Sequence, residues 1–307
     1  MFTRYRIYVA FLLAPLLLFA GSEIALRIAG FGSFPIYDVD KDLKYIPSAN
    51  QSGAFLDRHR WDFNDRHMGN AIDWSPGRHP DVLLIGNSIV MGGLPFDRDQ
   101  KLGALLQQAL HGSYAVWSVA APGWTNVNEM TYLDKNVDVL TGSDVVVFEY
   151  MEGGLSGANP WAGDILWPRR KPLSITVYTL QKYVIPRLTG VAPVDDMGAL
   201  PPNGPPDPAQ LDRFKRVVAD AAKAKRVLIF LYPTEQNLTD KAHWADVTAP
   251  IVAICESLSV TCVDIAKQES WRADLYKGGT HVGVEGAKVL ADILAENILK
   301  LDANKNM

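Results

Sequence analysis

From residue 81 onward, short apolar runs alternate with longer stretches of helical period, and this alternation constrains the fold more than any other feature of the chain. Asp81–Ile85 carries almost nothing polar after its first residue. A run with no polar face suits a parallel strand covered by helices on both sides. Gln100–Leu110 repeats its leucines at the spacing of a helix packed on one face. Further strands are predicted at Tyr114–Ala120, Asp144–Tyr150, Arg226–Tyr232 and Val260–Asp264. Helices are predicted at Pro208–Ala224, Ala245–Ser257 and Gly286–Leu299. Strand–helix alternation of this kind predicts an α/β domain, a parallel sheet with helices on both faces.

The flanks of this pattern set the domain organisation. Residues 1–30 read as a membrane anchor or signal segment and 31–307 as one domain. Arg4 and Arg6 precede an apolar run, Ile7–Gly21, and the arginines should stay cytoplasmic. That run alone is shorter than the ~20 residues of a comfortable span, as in a cleaved signal peptide. Ser22–Ala29 nevertheless continues at helical period, with Glu23 and Arg27 spaced as an i,i+4 pair. With no clear small-x-small cleavage site, an uncleaved single-pass anchor in the cytoplasmic membrane is the favoured reading. The domain would then lie in the periplasm or outside. Residues 31–80 read as an irregular leader wrapping the domain. Residues 153–208, rich in proline and tryptophan, read as an insertion over the strand ends. The net charge of −4 supplies no basic excess, which argues against nucleic acid. Cys255 and Cys262 have two readings: a disulfide closing a helix–strand loop, favoured in an exported chain, or two buried thiols. No ligand set for a metal surrounds them, and no cofactor is expected.

Ligands of open parallel sheets bind at the carboxyl ends of the strands. At these ends stand Gly86-Asn87-Ser88, then Ala121–Asn126, then Glu149–Gly154, and finally Gly278–His281 before the last helix. A hydroxyl, an imidazole and glycine turns with free N–H groups are the parts needed for nucleophilic acyl transfer. Taken singly, each has a plainer role: Ser88 as a helix cap, Pro122-Gly123 as a turn, His281 as a loop residue. The nucleophile elbow of α/β-hydrolases requires Gly-x-Ser-x-Gly, and Val90 rules it out.

The segments Leu83–Gly92, Gly123 and Thr280–Asp292 resemble the motif blocks of the SGNH or GDSL hydrolases, in particular their membrane-anchored extracytoplasmic members. The resemblance covers roughly residues 60–155 and 225–300, with Asn64 or Asn70 near Gly69 matching an upstream element. It implies a flavodoxin-like three-layer α/β/α fold. It also implies Ser88 as nucleophile, His281 as general base and acid, and an oxyanion hole from the N–H groups of Ser88 and Gly123. Three positions depart from the pattern. Asn87 stands for an aspartate, Gly153 for the oxyanion-binding asparagine, and Gly278 for the aspartate that orients the histidine. Asp274 and Glu152, then Glu149 and Asp264, are candidate replacements for the acid. Asn126 is the first candidate for the missing donor, ahead of Asn128 and Asn159.

Asn87, Trp124 and Trp161 are expected to contact substrate, with Trp167, Tyr150 and Tyr178 nearby. Their aromatic faces suit sugar rings, although tryptophans equally build a small core. The implied function is hydrolysis of acyl esters, O-acetyl first, on an extracytoplasmic polysaccharide. One alternative is O-acyl transfer to such a glycan beside a membrane-bound acyltransferase or the polysaccharide assembly machinery. The other is a degenerate subunit that only binds glycan.

Overall fold

The computed structural model describes residues 2–190, 204–223 and 225–303, with side chains of residues 2–12 and 302–303 set aside. Helix α1 (Phe2–Ile28) leads into two antiparallel hairpins, β1 (Tyr37–Asp40) with β2 (Lys44–Pro47) and β3 (Gln51–Phe55) with β4 (His59–Phe63). The domain then alternates: β5 (Asp81–Gly86), α2 (Ser88–Met91), α3 (Leu102–Ala109), β6 (Ala115–Ala120), α4 (Asn126–Lys135), α5 (Val137–Gly142) and β7 (Val145–Tyr150). After the insertion, with α6 (Ile175–Thr179) and α7 (Ile185–Thr189), come α8 (Pro208–Ala222), β8 (Arg226–Leu231), α9 (Glu235–Thr239) and α10 (Lys241–Leu258). The chain ends with β9 (Thr261–Asp264), the short hairpin β10 (Tyr276–Gly278) and β11 (His281–Val282), and α11 (Val284–Ala303).

Five strands form one sheet in the order β6-β5-β7-β8-β9, all parallel. Every residue of β5 and β7 is buried. Their side chains alternate between two cores, as the pleat requires. Leu83, Ile85, Val146 and Phe148 pack with Met130 of α4, Phe214 of α8 and Ile251 of α10. Val82, Leu84, Val145 and Val147 pack on the other face with Leu106 of α3 and Leu290 and Leu294 of α11. Each such buried side chain contributes roughly 1.5–3 kcal/mol before entropy is counted. The α/β class and the two-faced parallel sheet read from the sequence are found here.

One sequence reading needs correction. Residues 31–80 are not irregular. Their two hairpins bury Tyr45, Trp61, Phe63 and Met68, aromatic and apolar anchors too widely spaced to read as runs. The segment also covers the edge of the sheet. Gly69 N–H donates to the carbonyl of Ser118 on β6, and the Asn70 amide exchanges hydrogen bonds with Val116 and Ser118. An exposed strand edge is thereby protected. The insertion carries α6 and α7; its residues 191–203, including Pro201 and Pro202, lie outside the described residues.

The C-terminal part of α1 is built into the domain. Glu23 accepts from the Ile175 and Thr176 N–H groups and the Ser174 hydroxyl, capping α6, and Arg27 donates to the Leu173 carbonyl. Leu16, Leu17, Leu18, Ile24 and Ile28 of α1 are exposed. Among the described residues no helix is long and apolar enough to cross a membrane. Cys255, near the end of α10, and Cys262 on β9 form a disulfide with a Cα–Cα distance of 6.0 Å.

Candidate active site

The strand order places β6 and β7 on opposite sides of β5, so the connections leaving β5 and β6 diverge above the carboxyl end of β5. Such a switch point leaves a crevice between loops. Ser88 sits there as the first residue of α2. Asn87 caps that helix by accepting the Ile89 N–H at 2.9 Å. Gly86 has no room for a Cβ, which would run into the Glu149 carboxylate and Val90.

His281 arrives from the far end of the chain on the β10–β11 hairpin. The hairpin is fastened to the end of β8: Tyr232 Oη donates to Thr280 O at 2.9 Å and Tyr276 Oη to Pro233 O at 2.6 Å. Gly279, at φ +57°, makes the turn between the strands. The result is a Ser88 Oγ to His281 Nε2 distance of 2.9 Å across 193 residues of sequence. Burial holds the His281 pKa below its ordinary 6.5. A neutral imidazole accepting at Nε2 is a ready base for the Ser88 proton.

No protein-family profile matches the sequence, and no curated protein matches it. Solved structures do share part of its chain path. A carbohydrate acetylesterase family member from Sinorhizobium meliloti is 13% identical, with a TM-score of 0.41 over 72% of this chain and 98% of its own. An alpha/beta hydrolase from the metagenome of Lake Arreo, Spain, is 14% identical, with a TM-score of 0.44 over 72% of this chain and 96% of its own. The psychrotrophic esterase EstA from a Pseudoalteromonas species is 13% identical, with a TM-score of 0.42 over 73% and 98%. With every TM-score below 0.5, the chemistry rests on the site's own geometry.

The backbone supplies two donors at the crevice. Ser88 N–H lies in the first turn of α2, where no intrahelical acceptor exists. Gly123, at φ +75°, donates its N–H to no acceptor among the described residues. The Asn159 amide donates to Gly123 O at 2.7 Å and fixes that turn. Both residues line a cavity of about 220 Å³ with Trp124, Asn126, Glu129, Glu149 and Glu152. Asn126 reaches this wall but is already engaged, donating to Glu149 O at 2.5 Å and Glu129 Oε2 at 2.9 Å, so it does not fill the place of an oxyanion donor. Asn128 is likewise committed, to Leu43 O and Asn159 O.

The carboxylates named from the sequence are held elsewhere. Asp274 is exposed and pairs with Arg272 at 3.1 Å. Glu152 binds His243 Nε2 at 2.7 Å and the Asn237 amide. Asp264 accepts from Trp244 and pairs with Lys267. Glu149 accepts the Asn87 N–H at 2.9 Å. Among the described residues no carboxylate forms an ion pair with His281. Of the aromatic residues named for sugar contact, Trp124 and Trp167 line the cavities beside Ser88, and all three tryptophans are also tied into the fold. Trp124 is buried with its indole N–H on Tyr45 O, and Trp167 stacks on Tyr45 at 4.3 Å. Trp161 donates to Trp167 O and lies under the Arg169 guanidinium. Two further cavities open on Ser88 and His281. The larger, about 310 Å³, is walled by Phe34, Tyr37, Leu94, Leu166 and Trp167.

Two expected outcomes test this geometry. Asp274→Asn, which removes a carboxylate held by Arg272 rather than by the imidazole, leaves kcat/KM within about twofold, because exposed ion pairs contribute little. A loss of tenfold or more would place that carboxylate on His281. Because the imidazole is needed neutral and burial lowers its pKa, the acid limb of kcat/KM falls below pH 6.5. A pH–rate profile with its limb above that value would show an imidazole stabilised in its charged form instead.

Proposed function

We propose that the protein is a serine ester hydrolase that acts through a Ser88–His281 dyad. The observation carrying this reading is the 2.9 Å Ser88 Oγ–His281 Nε2 contact beside the Ser88 and Gly123 N–H groups, which meet no acceptor among the described residues. Ser88 Oγ attacks the ester carbonyl as His281 Nε2 takes its proton. The Ser88 and Gly123 N–H groups receive the negative charge on the carbonyl oxygen. The protonated imidazole gives its proton to the departing alcohol, and the acyl group remains on Ser88. Water, deprotonated by the same nitrogen, then attacks the acyl-serine and releases the acid. Among the described residues no carboxylate pairs with the imidazole, so the rate should lie below that of a full triad.

The substrates that fit this reading are short acyl esters, O-acetyl first, on an extracytoplasmic carbohydrate. The small cavity supports a small acyl group, and the larger one beside it supports the alcohol portion. Several features support a tethered, exported protein. They are the sequence pattern of residues 1–30, the exposed leucines of α1 and a disulfide of the kind kept in oxidising compartments. A second reading, O-acyl transfer beside a membrane-bound donor system, draws on the same cavities, since an acceptor sugar has room while the acyl group occupies Ser88. The full-length protein in detergent, given an O-acetylated oligosaccharide, should release acetate in a Ser88-dependent way. Acetyl appearing on an added sugar acceptor instead would favour transfer, and no Ser88-dependent turnover of either kind would leave a binding subunit.

A further inference from the structure

The insertion that follows β7 carries an apolar face that the rest of the domain does not cover. Residues 175–189 form one continuous helical stretch, α6 and α7 joined by a π-turn at Leu180–Val184. Ile175, Thr176 and Tyr178 turn inward and are buried, and the Tyr178 ring stacks on Phe34 at 4.8 Å. Val177, Leu180, Val184, Ile185 and Leu188 are exposed, and Leu173, just ahead of the helix, is 100% exposed. Val177, Leu180, Val184 and Leu188 recur at the three- or four-residue spacing of a single helix face. Isolated apolar residues are ordinary on a protein surface, but six along one short segment mark a contact face.

Two features identify a lipid surface as what covers this stripe. The first is continuity with α1. Residues 13–21 of that helix are all exposed, and none of them has a polar side chain. A helical segment that is apolar all round has no face suited to water. It joins the domain beside α6, where Ser22 Oγ lies 3.1 Å from Thr176 Oγ1 and Glu23 caps the helix. The second feature is charge. Residues 165–190 include Arg169, Arg170, Lys171, Lys182 and Arg187 and no acidic residue. The two lysines turn their Nζ atoms to carbonyl oxygens of the domain, those of Gly32 and Leu166, and Arg169 pairs with Asp164. Arg170 and Arg187 are exposed and form no ion pair among the described residues. An apolar stripe with guanidinium groups beside it matches the boundary between acyl chains and anionic headgroups.

We propose that α6 and α7 lie in the interface of a bilayer containing anionic lipid, as a second membrane contact beside α1. The exposed stripe sits among the upper acyl chains, and Arg170 and Arg187 meet the phosphates. The same insertion walls the larger cavity through Leu166, Trp167 and Lys182, so the docked domain holds its crevice next to the membrane surface. Docking of this kind is independent of whether Ser88 turns over an ester.

The only two cysteines are joined to each other, so a cysteine introduced elsewhere is a unique attachment point for a nitroxide. The full-length protein is labelled at Leu180→Cys, Leu188→Cys or Lys223→Cys and reconstituted into vesicles of phosphatidylglycerol and phosphatidylethanolamine. Lys223 follows α8 at the amino end of β8, opposite the strand ends from which the insertion springs, and serves as the reference. Power-saturation EPR should show the labels at 180 and 188 reached by oxygen and shielded from an aqueous nickel chelate, with the label at 223 open to the chelate. Labels at 180 and 188 as accessible to the chelate as the one at 223 would overturn the proposal. So would labels shielded from both reagents, the sign of a second copy or another protein on the stripe. Arg170→Glu combined with Arg187→Glu should return the label at 180 to the aqueous phase. Unchanged immersion in that variant would overturn the contact with anionic headgroups.

Discussion

Ser88→Ala is expected to lower kcat for ester hydrolysis on the order of 10⁴–10⁶-fold, with little change in melting temperature. His281→Ala should cost a comparable factor, and the double variant should be no slower than Ser88→Ala alone. Nucleophile and base act as one unit, so removing the second after the first costs almost nothing further. The side chain of Ser88 packs nothing essential: its Oγ meets His281 and, more distantly at 3.5 Å, the Asn87 amide oxygen. Steady-state kinetics on the three variants, with thermal melts alongside, separate this unit from a structural pair. Additive losses, or a loss matched by unfolding, would contradict the dyad.

A second large effect concerns stability and pH. Glu149 titrates near 4.5 in the unfolded chain and near 8 in the folded one. The folded state therefore binds the proton more tightly. Its contribution to stability is complete below the unfolded value and is lost as pH rises through the folded value. The domain should become progressively easier to unfold between about pH 4.5 and 8. Every tenfold gain in proton affinity is worth ~1.4 kcal/mol, so the loss amounts to a few kcal/mol. Glu149→Gln, neutral throughout, should flatten that slope and melt above the wild type at pH 8–9. Denaturant midpoints measured across this range check the effect. A wild-type stability that rises with pH over the same interval, with no difference from the glutamine variant, would show the carboxyl ionised and stabilised in the folded state.

The sheet was legible in the sequence because burial on both faces leaves β5, β7 and β8 few polar positions to blur the signal. That Ser88, Gly123 and His281 stand at one edge of the sheet was legible for a related reason: the strands fix where their carboxyl ends lie. The leader was not. Its hairpins bury single aromatics such as Tyr45 and Trp61 against other parts of the chain, and isolated anchors give no period. The acid of the site was the least accessible question. Asp274 and Glu152 lie at plausible distances in sequence, but their partners, Arg272 and His243, are settled only by how the loops fold. Asn126 likewise sits just after the Gly123 turn, yet its amide is consumed by Glu149 and Glu129. The one visible signal for that buried network was a glutamate inside the apolar run Val145–Tyr150, where a charge has no ordinary place.

Whether His281 makes Ser88 a nucleophile can be decided without knowing the substrate. The full-length protein is reacted with a fluorophosphonate and the adduct is located by peptide mass spectrometry. A working dyad yields a single phosphonyl group on Ser88, absent in Ser88→Ala and formed at least about 10²-fold more slowly in His281→Ala. An unmodified Ser88, or labelling at the same rate without His281, would contradict it.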